Sequence, residues 1–461
     1  MVLQEGSVLM TRKNEWILAI NDPSLLIIAR RFNQLIQKIN GVPGKISQTT
    51  AKGAISLQLD RQATDNKIEK NETITITGKS EQAVLQTATY ALLREHLGQL
   101  NKGETLVQMA QERRIFMLDM GRKFFSKETI LSFIDVLSFA QFNFLQLHFS
   151  ENEGFRIACD TAPEIVSDDF LSKADVIEII QYAQCCGIEI IPDFDSPGHL
   201  KQLLKNRPEW QLEKKNAEGE FEKNPTALDI TNPEAVEFIL SIYKEYAALF
   251  SSSTYFHIGA DEFVDFDEME AYPQLQDYAK EVYGESAEGI DAFVGYVNRI
   301  IEAINGFGFI PQVWNDGFFR LNRAEVVKLS EAVEITYWTK WNQHMAPVST
   351  FIDRGYTVIN FNDNYFYYVL GEHAGYTYPT YEKIIDSWTP DMWPQEQVVA
   401  VDTTQLPGVA VAVWADRPDA QTQEEVLLHV SEIFFAVMQK QMGDVFITKD
   451  ALTAFLATIL K

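Results

Sequence analysis

The chain has 461 residues, and its 39 Lys and Arg against 65 Asp and Glu give a formal net charge of −26. Nucleic acids and anionic membrane surfaces are bound chiefly through Lys and Arg, so this charge argues against both as partners. Hydrophobic residues make up 46% and charged residues 23%, which is typical of a globular protein with a large core and not of a disordered chain.

No targeting or membrane-spanning segment is recognisable in the sequence. The N-terminus has no basic stretch followed by an apolar run, and no run of about 18 apolar residues occurs. The three cysteines, Cys159, Cys185 and Cys186, fit neither a disulfide framework nor a CxxC metal site. We therefore expect a cytoplasmic protein with reduced thiols.

The first 105 residues are predicted to form a small α+β domain. Two helical and two strand patterns occur there, at 23–39, 54–59, 73–77 and 80–97. The polar stretch 98–103 is typical of a linker. We place the domain boundary between residues 105 and 106, so that the second domain covers 106–461.

From residue 114 onward, short apolar runs alternate with amphipathic stretches, the pattern of βα units around a parallel sheet. Eight strands are expected, at 115–120, 144–149, 188–194, 255–259, 309–314, 333–338, 357–361 and 409–414. Eight strands with intervening helices indicate an α/β fold, a (β/α)8 TIM barrel preceded by the small domain. The alternative, a doubly wound open sheet, usually has fewer strands, and its dinucleotide-binding forms carry a GxGxxG motif that is absent here.

Polar and aromatic residues follow the predicted strands, and barrel enzymes carry their chemistry at these C-terminal strand ends. The candidates are Asp119, Arg122, His148, Glu151, Asp193, Asp195, His199, His257, Asp261, Glu262, Trp314, Asp316, Trp338, Asn364, Tyr365, Tyr367, Trp414 and Asp416. Taken singly, such an Asp caps the next helix and such a Trp fills the core. Together, aromatic walls with carboxylates and an Arg suit a neutral ligand rich in hydroxyls, which favours a sugar site.

Two other chemistries are less favoured. His148, His199 and His257 could converge on a metal ion, but the sequence has neither a His-x-His after a strand nor an HExxH motif. Hydrogen bonding of these histidines to carboxylates is the better interpretation. A Ser or Cys nucleophile is disfavoured because no GxSxG motif is present.

The adjacent carboxylates Asp261 and Glu262 do not suit an ordinary retaining glycosidase. Such enzymes need two carboxyl groups about 5 to 5.5 Å apart on opposite sides of the anomeric carbon. Neighbours on an extended segment point to opposite faces, so only one of the two would reach the glycosidic oxygen. The nucleophile would then come from elsewhere, and the 2-acetamido group of the substrate is a candidate.

Five segments, in chain order, resemble the motifs of glycoside hydrolase family 20, the β-N-acetylhexosaminidases. They are LDMGR at 118–122, IPDFDSPGH at 191–199, FHIGADE at 256–262, VWND at 313–316 and VWAD at 413–416. The similarity runs from residue 110 to residue 440, approximately, and the region before it resembles the small α+β domain that precedes many of these barrels. The segments at 314–317 and 335–338 are similar to a dispersin-like, Gram-positive branch.

This resemblance implies roles for the catalytic residues. Glu262 would be the general acid and then the general base, which requires a raised pKa. Asp261 would orient the acetamido N–H and stabilise positive charge on an oxazolinium. Tyr365 would donate a hydrogen bond to the acetamido carbonyl, with Tyr367 or Tyr368 as the alternative contact.

The resemblance also implies substrate-binding residues. Trp314, Trp338 and Trp414 would surround the acetamido methyl and the sugar ring. Arg122 and Asp416 would bind the 3- and 4-hydroxyls. His199 would support the two catalytic carboxylates.

Four positions depart from the family pattern. Ala260 stands where Gly is usual, and Glu151 replaces an Asp expected to support the acid through a His. Asp193 replaces a Glu, and Tyr367 stands where many relatives have an Asp near the 6-hydroxyl. These departures affect the expected specificity more than the expected reaction.

The sequence therefore predicts an exo-β-N-acetylhexosaminidase that removes terminal, non-reducing β-linked GlcNAc or GalNAc from oligosaccharides. The expected mechanism is retaining and substrate-assisted, and it uses no metal and no other cofactor. Within the family, a lacto-N-biosidase or a dispersin-like poly-β-1,6-GlcNAc hydrolase is the alternative. An inactive, glycan-binding barrel is a further alternative, although the intact Asp261–Glu262 pair speaks against it.

Overall fold

The structure is a computed structural model, and it describes residues 17–48, 54–400, 402 and 404–460. Its N-terminal part is an α+β domain with a six-stranded sheet in the order β2-β1-β3-β5-β4-β6. The elements are β1 Ile17–Ile20, α1 Leu26–Asn40, β2 Lys45–Ser47, β3 Ile55–Leu59, β4 Asn66–Lys70, β5 Ile74–Gly78, α2 Glu81–His96 and β6 Gly103–Val107. The boundary expected after residue 105 falls inside β6, which pairs with β4.

Helix α1 shows why this domain folds as it does. Its buried residues Ile28, Phe32, Leu35 and Ile36 recur at the spacing of one helix face. The helix ends at Gly41, whose φ of +77° closes the last turn by a left-handed conformation that glycine adopts without strain.

Eight parallel strands form a closed barrel, as predicted. They are β7 Arg113–Asp119, β8 Phe144–His148, β9 Glu189–Ser196, β12 Tyr255–Gly259, β13 Ile310–Trp314, β14 Glu334–Tyr337, β15 Val358–Asn360 and β19 Gly408–Trp414. Pairing of β19 with both β15 and β7 closes the ring. The (β/α)8 fold and the α+β domain before it are therefore confirmed.

Helices surround the barrel, and short additional elements lie between them. The helices are α3 Lys127–Phe139, α4 Lys173–Cys185, α5 Lys201–Leu204, α6 Pro233–Leu249, α7 Pro273–Tyr283, α8 Gly289–Gly306, α9 Val348–Asp353, α10 Asp363–Phe366, α11 Tyr381–Ser387, α12 Gln423–Met442 and α13 Lys449–Ile459. The additional strands are β10 Gln211–Lys215, β11 Phe221–Leu228, β16 Tyr367–Val369, β17 Met392–Trp393 and β18 Gln397–Val398. Among the helices described, none combines the length and the apolar character needed to cross a membrane.

The strand register places a row of polar side chains inside the barrel near its C-terminal end. Asp119 pairs with His148, His148 with Asp193, and Asp193 with His257, on four neighbouring strands. All four residues are buried, and the carboxylate of Asp193 lies 3.0 Å from Nδ1 of His148 and 3.4 Å from Nδ1 of His257.

The seventh barrel strand is interrupted, and this shapes the mouth of the barrel. Strand β15 ends at Asn360, the helical turn α10 follows, and the chain then returns to the sheet as β16. Strand β16 pairs with β19 from Tyr367 opposite Ala412 to Val369 opposite Trp414. The turn therefore decides which tyrosine of this segment faces the barrel axis.

Candidate active site

The backbone is sharply kinked where strand β12 ends. Gly259, Ala260 and Glu262 have φ values of +71°, +73° and +44°. Glycine is required at 259, since a Cβ there would lie 1.7 Å from Oδ1 of Asp195. The expectation that this segment is extended is wrong, because the left-handed residues turn the chain. As a result, Asp261 and Glu262 both line the same cavity.

A cavity of about 430 Å³ opens at the C-terminal end of the barrel, a size suited to a small ligand. Nine of the ten predicted site residues line it, namely Arg122, His199, Asp261, Glu262, Trp314, Trp338, Tyr367, Trp414 and Asp416. Glu151 also lines it, together with five residues that the sequence did not single out, namely Trp341, Val369, His373, Ala374 and Tyr376.

Tyr365 is the predicted site residue that the structure does not bring to this cavity. It lines a separate hollow with Asn364 and Lys383, and Nζ of Lys383 lies 5.0 Å from the centre of its ring. The reason is the helical turn α10, which breaks the strand alternation before the chain returns at Tyr367. Tyr367, the alternative contact, occupies the cavity wall instead.

Three tryptophans and Tyr367 form the apolar wall of the cavity. The rings of Tyr367 and Trp338 are stacked, with centroids 5.8 Å apart and planes within 3°. Trp414 lies 5.8 Å from Tyr367 and 6.0 Å from Trp314. Such flat, packed rings can cover the C–H faces of a sugar or a methyl group.

His199 connects Asp261 and Glu262 with a deeper acid, Glu151. Its Nδ1 lies 2.9 Å from Oε1 of Glu151, and its Nε2 lies 3.6 Å from Asp261 and 3.7 Å from Glu262. Burial alone would lower the pKa of His199, but the charges of Glu151 and Asp261 raise it well above its ordinary value. His199 therefore carries a positive charge between these carboxylates. The glutamate at 151 thus makes the contact with the histidine for which an aspartate was expected.

Arg122 holds Glu151 from the other side. Burial would raise the pKa of Glu151, but the charges of His199 and Arg122 hold it well below its usual range. The guanidinium lies 2.5 Å from Glu151, donates to Asp119 at 2.9 Å and lies over the ring of Trp414. Arg122 is thereby fixed at the end of the cavity where Asp416 also lies.

The environment of Glu262 suits a general acid. Its side chain opens into the cavity, where the surrounding side chains enclose the carboxylate while a ligand can still reach it. Burial of the carboxylate by the cavity walls raises its pKa, the charge of Asp261 adds to this shift, and His199 opposes it. A carboxyl group with a raised pKa retains its proton to higher pH and can donate it to a leaving oxygen.

Asp316 is a functional candidate that the sequence pointed to only as a strand end. One carboxylate oxygen accepts a hydrogen bond from the backbone N–H of Glu262 at 3.0 Å. The other accepts from Nε1 of Trp338 at 3.3 Å. Burial and the charge of Asp261 raise the pKa of Asp316 to about 7. This residue links Glu262 with the aromatic wall, and its place directly after Trp314 and Asn315 was the available signal.

The three histidines considered as metal ligands do not share one site. Nδ1 of His148 and Nδ1 of His257 lie 3.0 and 3.4 Å from the carboxylate of Asp193, whereas His199 faces Glu151. Within the part of the chain that the structure describes, one group has the spacing of metal ligands. It comprises Asp195, His199 and Asp261, whose ligand atoms lie within 4.8 Å of one another.

Comparison with known proteins identifies the family. Residues 112–429 match glycosyl hydrolase family 20, catalytic domain. The chain belongs to glycoside hydrolase family 20. This family-20 chain is 29% identical over 271 residues to a lacto-N-biosidase of Bifidobacterium bifidum, covering 58% of the chain and 23% of that relative. It is 32% identical over 208 residues to β-hexosaminidase subunit A1 of Dictyostelium discoideum, covering 44% of the chain and 38% of that relative.

A solved structure supports the same fold. The family-20 exo-β-N-acetylglucosaminidase of Vibrio harveyi, in complex with N-acetylglucosamine, superposes with a TM-score of 0.75 at 17% identity. The superposition covers 98% of this chain and 75% of that one. By contrast, the matches to the Bifidobacterium and Dictyostelium proteins span less than two fifths of the length of each of those proteins.

Proposed function

We propose that this protein is an exo-acting β-N-acetylhexosaminidase that hydrolyses terminal, non-reducing β-linked GlcNAc or GalNAc with retention of configuration. The observation that carries the proposal is that Asp261 and Glu262 line the same cavity as the packed aromatic rings of Trp314, Trp338, Tyr367 and Trp414. The names of the relatives, a lacto-N-biosidase and a β-hexosaminidase subunit, support the same class of substrate.

The reaction begins with proton transfer from Glu262 to the glycosidic oxygen. The carbonyl oxygen of the substrate's 2-acetamido group attacks the anomeric carbon at the same time, and the leaving sugar departs as an alcohol. Asp261 accepts a hydrogen bond from the acetamido N–H and stabilises the positive charge of the resulting oxazolinium. Glu262, now a carboxylate, removes a proton from water, which opens the oxazolinium and restores the acetamido group.

The other cavity residues position the sugar. Trp314, Trp338 and Trp414 surround the methyl of the acetamido group. The hydroxyl of Tyr367 donates a hydrogen bond to the carbonyl oxygen of the same group. Arg122 and Asp416, which also line the cavity, bind the 3- and 4-hydroxyls. His199, charged between Glu151 and Asp261, orients Asp261 from 3.6 Å. No step in this scheme requires a metal or another cofactor.

The test compares p-nitrophenyl β-GlcNAc, β-GalNAc and β-glucoside as substrates for the wild type and for Glu262→Gln. We expect hydrolysis of the N-acetyl sugars, none of the glucoside, and a loss of at least about 10² in rate for the variant, as for removal of a general acid. Hydrolysis of the glucoside would refute participation of the acetamido group. A variant with the wild-type rate would refute the role of Glu262, and an inactive wild type would favour the glycan-binding alternative.

The relative from Bifidobacterium favours one second candidate, a lacto-N-biosidase, which would release a disaccharide. Analysis of the products from a tetrasaccharide with a non-reducing lacto-N-biose end distinguishes the two enzymes. Release of monosaccharides from GlcNAc-terminated chains supports the hexosaminidase. Release of an intact disaccharide supports the biosidase.

A further inference from the structure

His257 is a buried histidine to which the proposed reaction assigns no role. It lies on β12 inside the barrel, two residues before Gly259, where the kink of the chain begins. The centroid of its ring lies 4.6 Å from that of Trp314, which lines the cavity. His257 therefore borders both the aromatic wall and the kinked segment that carries Asp261 and Glu262.

Thr336, on the strand β14, determines which ring nitrogen of His257 carries the hydrogen. The hydroxyl of Thr336 has one hydrogen, and it donates this hydrogen to the carbonyl oxygen of Val313 at 2.8 Å. Nε2 of His257 lies 2.8 Å from the oxygen of the same hydroxyl. Because that oxygen can now only accept a hydrogen bond from the histidine, Nε2 carries a hydrogen.

The other ring nitrogen of His257, Nδ1, accepts a hydrogen bond. The backbone N–H of Gly259 donates to it at 3.1 Å. A ring nitrogen that accepts a hydrogen bond carries no hydrogen, so the imidazole is neutral and has its hydrogen on Nε2. The chain of hydrogen bonds from Gly259 through His257 and Thr336 to Val313 therefore runs in one direction, with a donor and an acceptor at every step.

Asp193 offers a partner to the alternative tautomer of His257. Its Oδ1 lies 3.4 Å from Nδ1 of His257, and among the residues that the structure describes this buried oxygen has no hydrogen-bond partner. Its Oδ2, by contrast, lies 3.0 Å from Nδ1 of His148. A hydrogen on Nδ1 of His257 would therefore satisfy Asp193 and leave the N–H of Gly259 without its acceptor. Thr336 opposes this exchange because it holds the hydrogen on Nε2.

The bond from Gly259 is one of three that fix the backbone of the kinked segment. The N–H of Ala260 donates to Asp195 at 3.2 Å, and the N–H of Glu262 donates to Asp316 at 3.0 Å. If the first of these three bonds is lost, the segment can shift relative to the cavity. A shift of about 1 Å in a catalytic group is enough to lower a rate substantially.

We propose that Thr336 and His257 are positioning residues for Asp261 and Glu262. Thr336 keeps the hydrogen of the imidazole on Nε2, and the free Nδ1 then holds the backbone of Gly259 at the start of the kink. Neither Thr336 nor His257 lines the cavity, so both act through the backbone and not on the substrate. The inference deepens the proposed function and rests on it for the roles of Asp261 and Glu262.

The first test observes the tautomer by ¹⁵N NMR of the imidazole nitrogens in the full chain labelled with ¹⁵N-histidine. The chain has seven histidines, and the signals of His257 are those that are missing from His257→Gln. Near neutral pH we expect a hydrogen on Nε2 and none on Nδ1 in the wild type, and a hydrogen on Nδ1 in Thr336→Val. A wild type with a hydrogen on Nδ1, alone or together with Nε2, would overturn the proposal.

The second test measures kcat and KM for p-nitrophenyl β-GlcNAc, and it does not depend on the folding of His257→Gln. Thr336→Val keeps the shape of threonine without its hydroxyl, and Thr336→Ser keeps the hydroxyl. We expect Thr336→Val to lower kcat by about 10-fold, with KM within about twofold, because the acid is displaced while the binding walls remain. Thr336→Ser should retain most of the wild-type kcat.

Thr87→Val is the matched control, because it removes a similarly buried hydroxyl that donates to the carbonyl oxygen of Ala83 at 2.7 Å in the other domain. Equal losses of kcat in Thr336→Val and Thr87→Val, or no recovery in Thr336→Ser, would refute the positioning role. An inactive wild type would refute the proposed function and leave the tautomer of His257 as observed, so the two failures are distinguishable.

Discussion

Nδ1 of His199 lies 2.9 Å from the carboxylate of Glu151, on the side of the imidazole ring opposite Asp261 and Glu262. Burial lowers the pKa of His199, but the charges of Glu151 and Asp261 both raise it and outweigh the burial. The imidazole is therefore charged near neutral pH, and its charge depends on Glu151.

Glu151→Gln should lower activity most at high pH. Without the charge of Glu151 the pKa of His199 falls, so the histidine loses its proton as the pH rises and Asp261 loses its positive partner. We expect kcat/KM to fall by about 10- to 100-fold at pH 8, the value of a hydrogen bond to a charged group, and by less at pH 5. Glu153→Gln, which alters a half-exposed carboxylate 3.7 Å from Arg122, is the control. A loss that is independent of pH would contradict this explanation.

Gly259→Ala should disrupt the site through the backbone. The new Cβ would lie 1.7 Å from Oδ1 of Asp195 at a φ of +71°. We expect the free energy of unfolding to fall by at least about 3 kcal/mol. This value adds the cost of an alanine in the left-handed conformation to the cost of the steric overlap with Asp195. Gly443→Ala has a similar left-handed φ of +66° but no atom within 4 Å of its Cβ, so it should lose only about 1 to 2 kcal/mol. Denaturant unfolding of both variants measures the difference, and equal losses would contradict it.

The sequence predicted the barrel because eight apolar runs alternate with helical periodicity, and each run became a strand of the closed sheet. It also indicated which residues follow the strands at the mouth of the barrel, since parallel strands bring their carboxyl ends to one edge. Asp119, His148 and Asp193 could be expected to lie side by side for that reason, and the register places them so.

The features that could not be predicted depend on backbone conformations that leave no periodic pattern. The kink at Gly259 depends on the approach of Asp195, which lies on another strand. The helical turn α10 shifts the segment after Asn360 out of strand alternation, so of the two predicted tyrosines Tyr367 reaches the cavity and Tyr365 does not. Trp341 lies in a loop whose shape is set by contacts with Asp267 and Gln395, which are distant in sequence.

Tyr367→Phe and Tyr365→Phe test which of these two tyrosines contacts the substrate. Tyr367 lines the cavity and stacks on Trp338, whereas Tyr365 lines the separate hollow with Lys383. We expect Tyr367→Phe to lower kcat/KM for p-nitrophenyl β-GlcNAc by about 10-fold or more, because the acetamido carbonyl loses a hydrogen bond as charge develops. Tyr365→Phe should remain within about twofold of the wild type. The reverse order of effects would restore Tyr365 to the site.

Asp316→Asn should change both the activity and the pH dependence of stability. The two carboxylate oxygens of Asp316 accept separate hydrogen bonds, one from the backbone N–H of Glu262 and one from Nε1 of Trp338. The asparagine side chain has only one oxygen, so one of these donors loses its partner. We therefore expect kcat to fall by about 10-fold.

The stability effect of Asp316 follows from its raised pKa, which is about 7 in the folded protein against an ordinary value of 3.8. The folded state binds the proton more tightly than the unfolded state, so this group makes the free energy of unfolding fall as the pH rises between those two values. Asp316→Asn removes that contribution, and the difference in unfolding free energy between pH 4.5 and pH 7.5 should become smaller. Asp419→Asn, an exposed carboxylate outside the cavity, should leave the difference unchanged. An unchanged difference in Asp316→Asn would show that the carboxylate is ionised throughout this range.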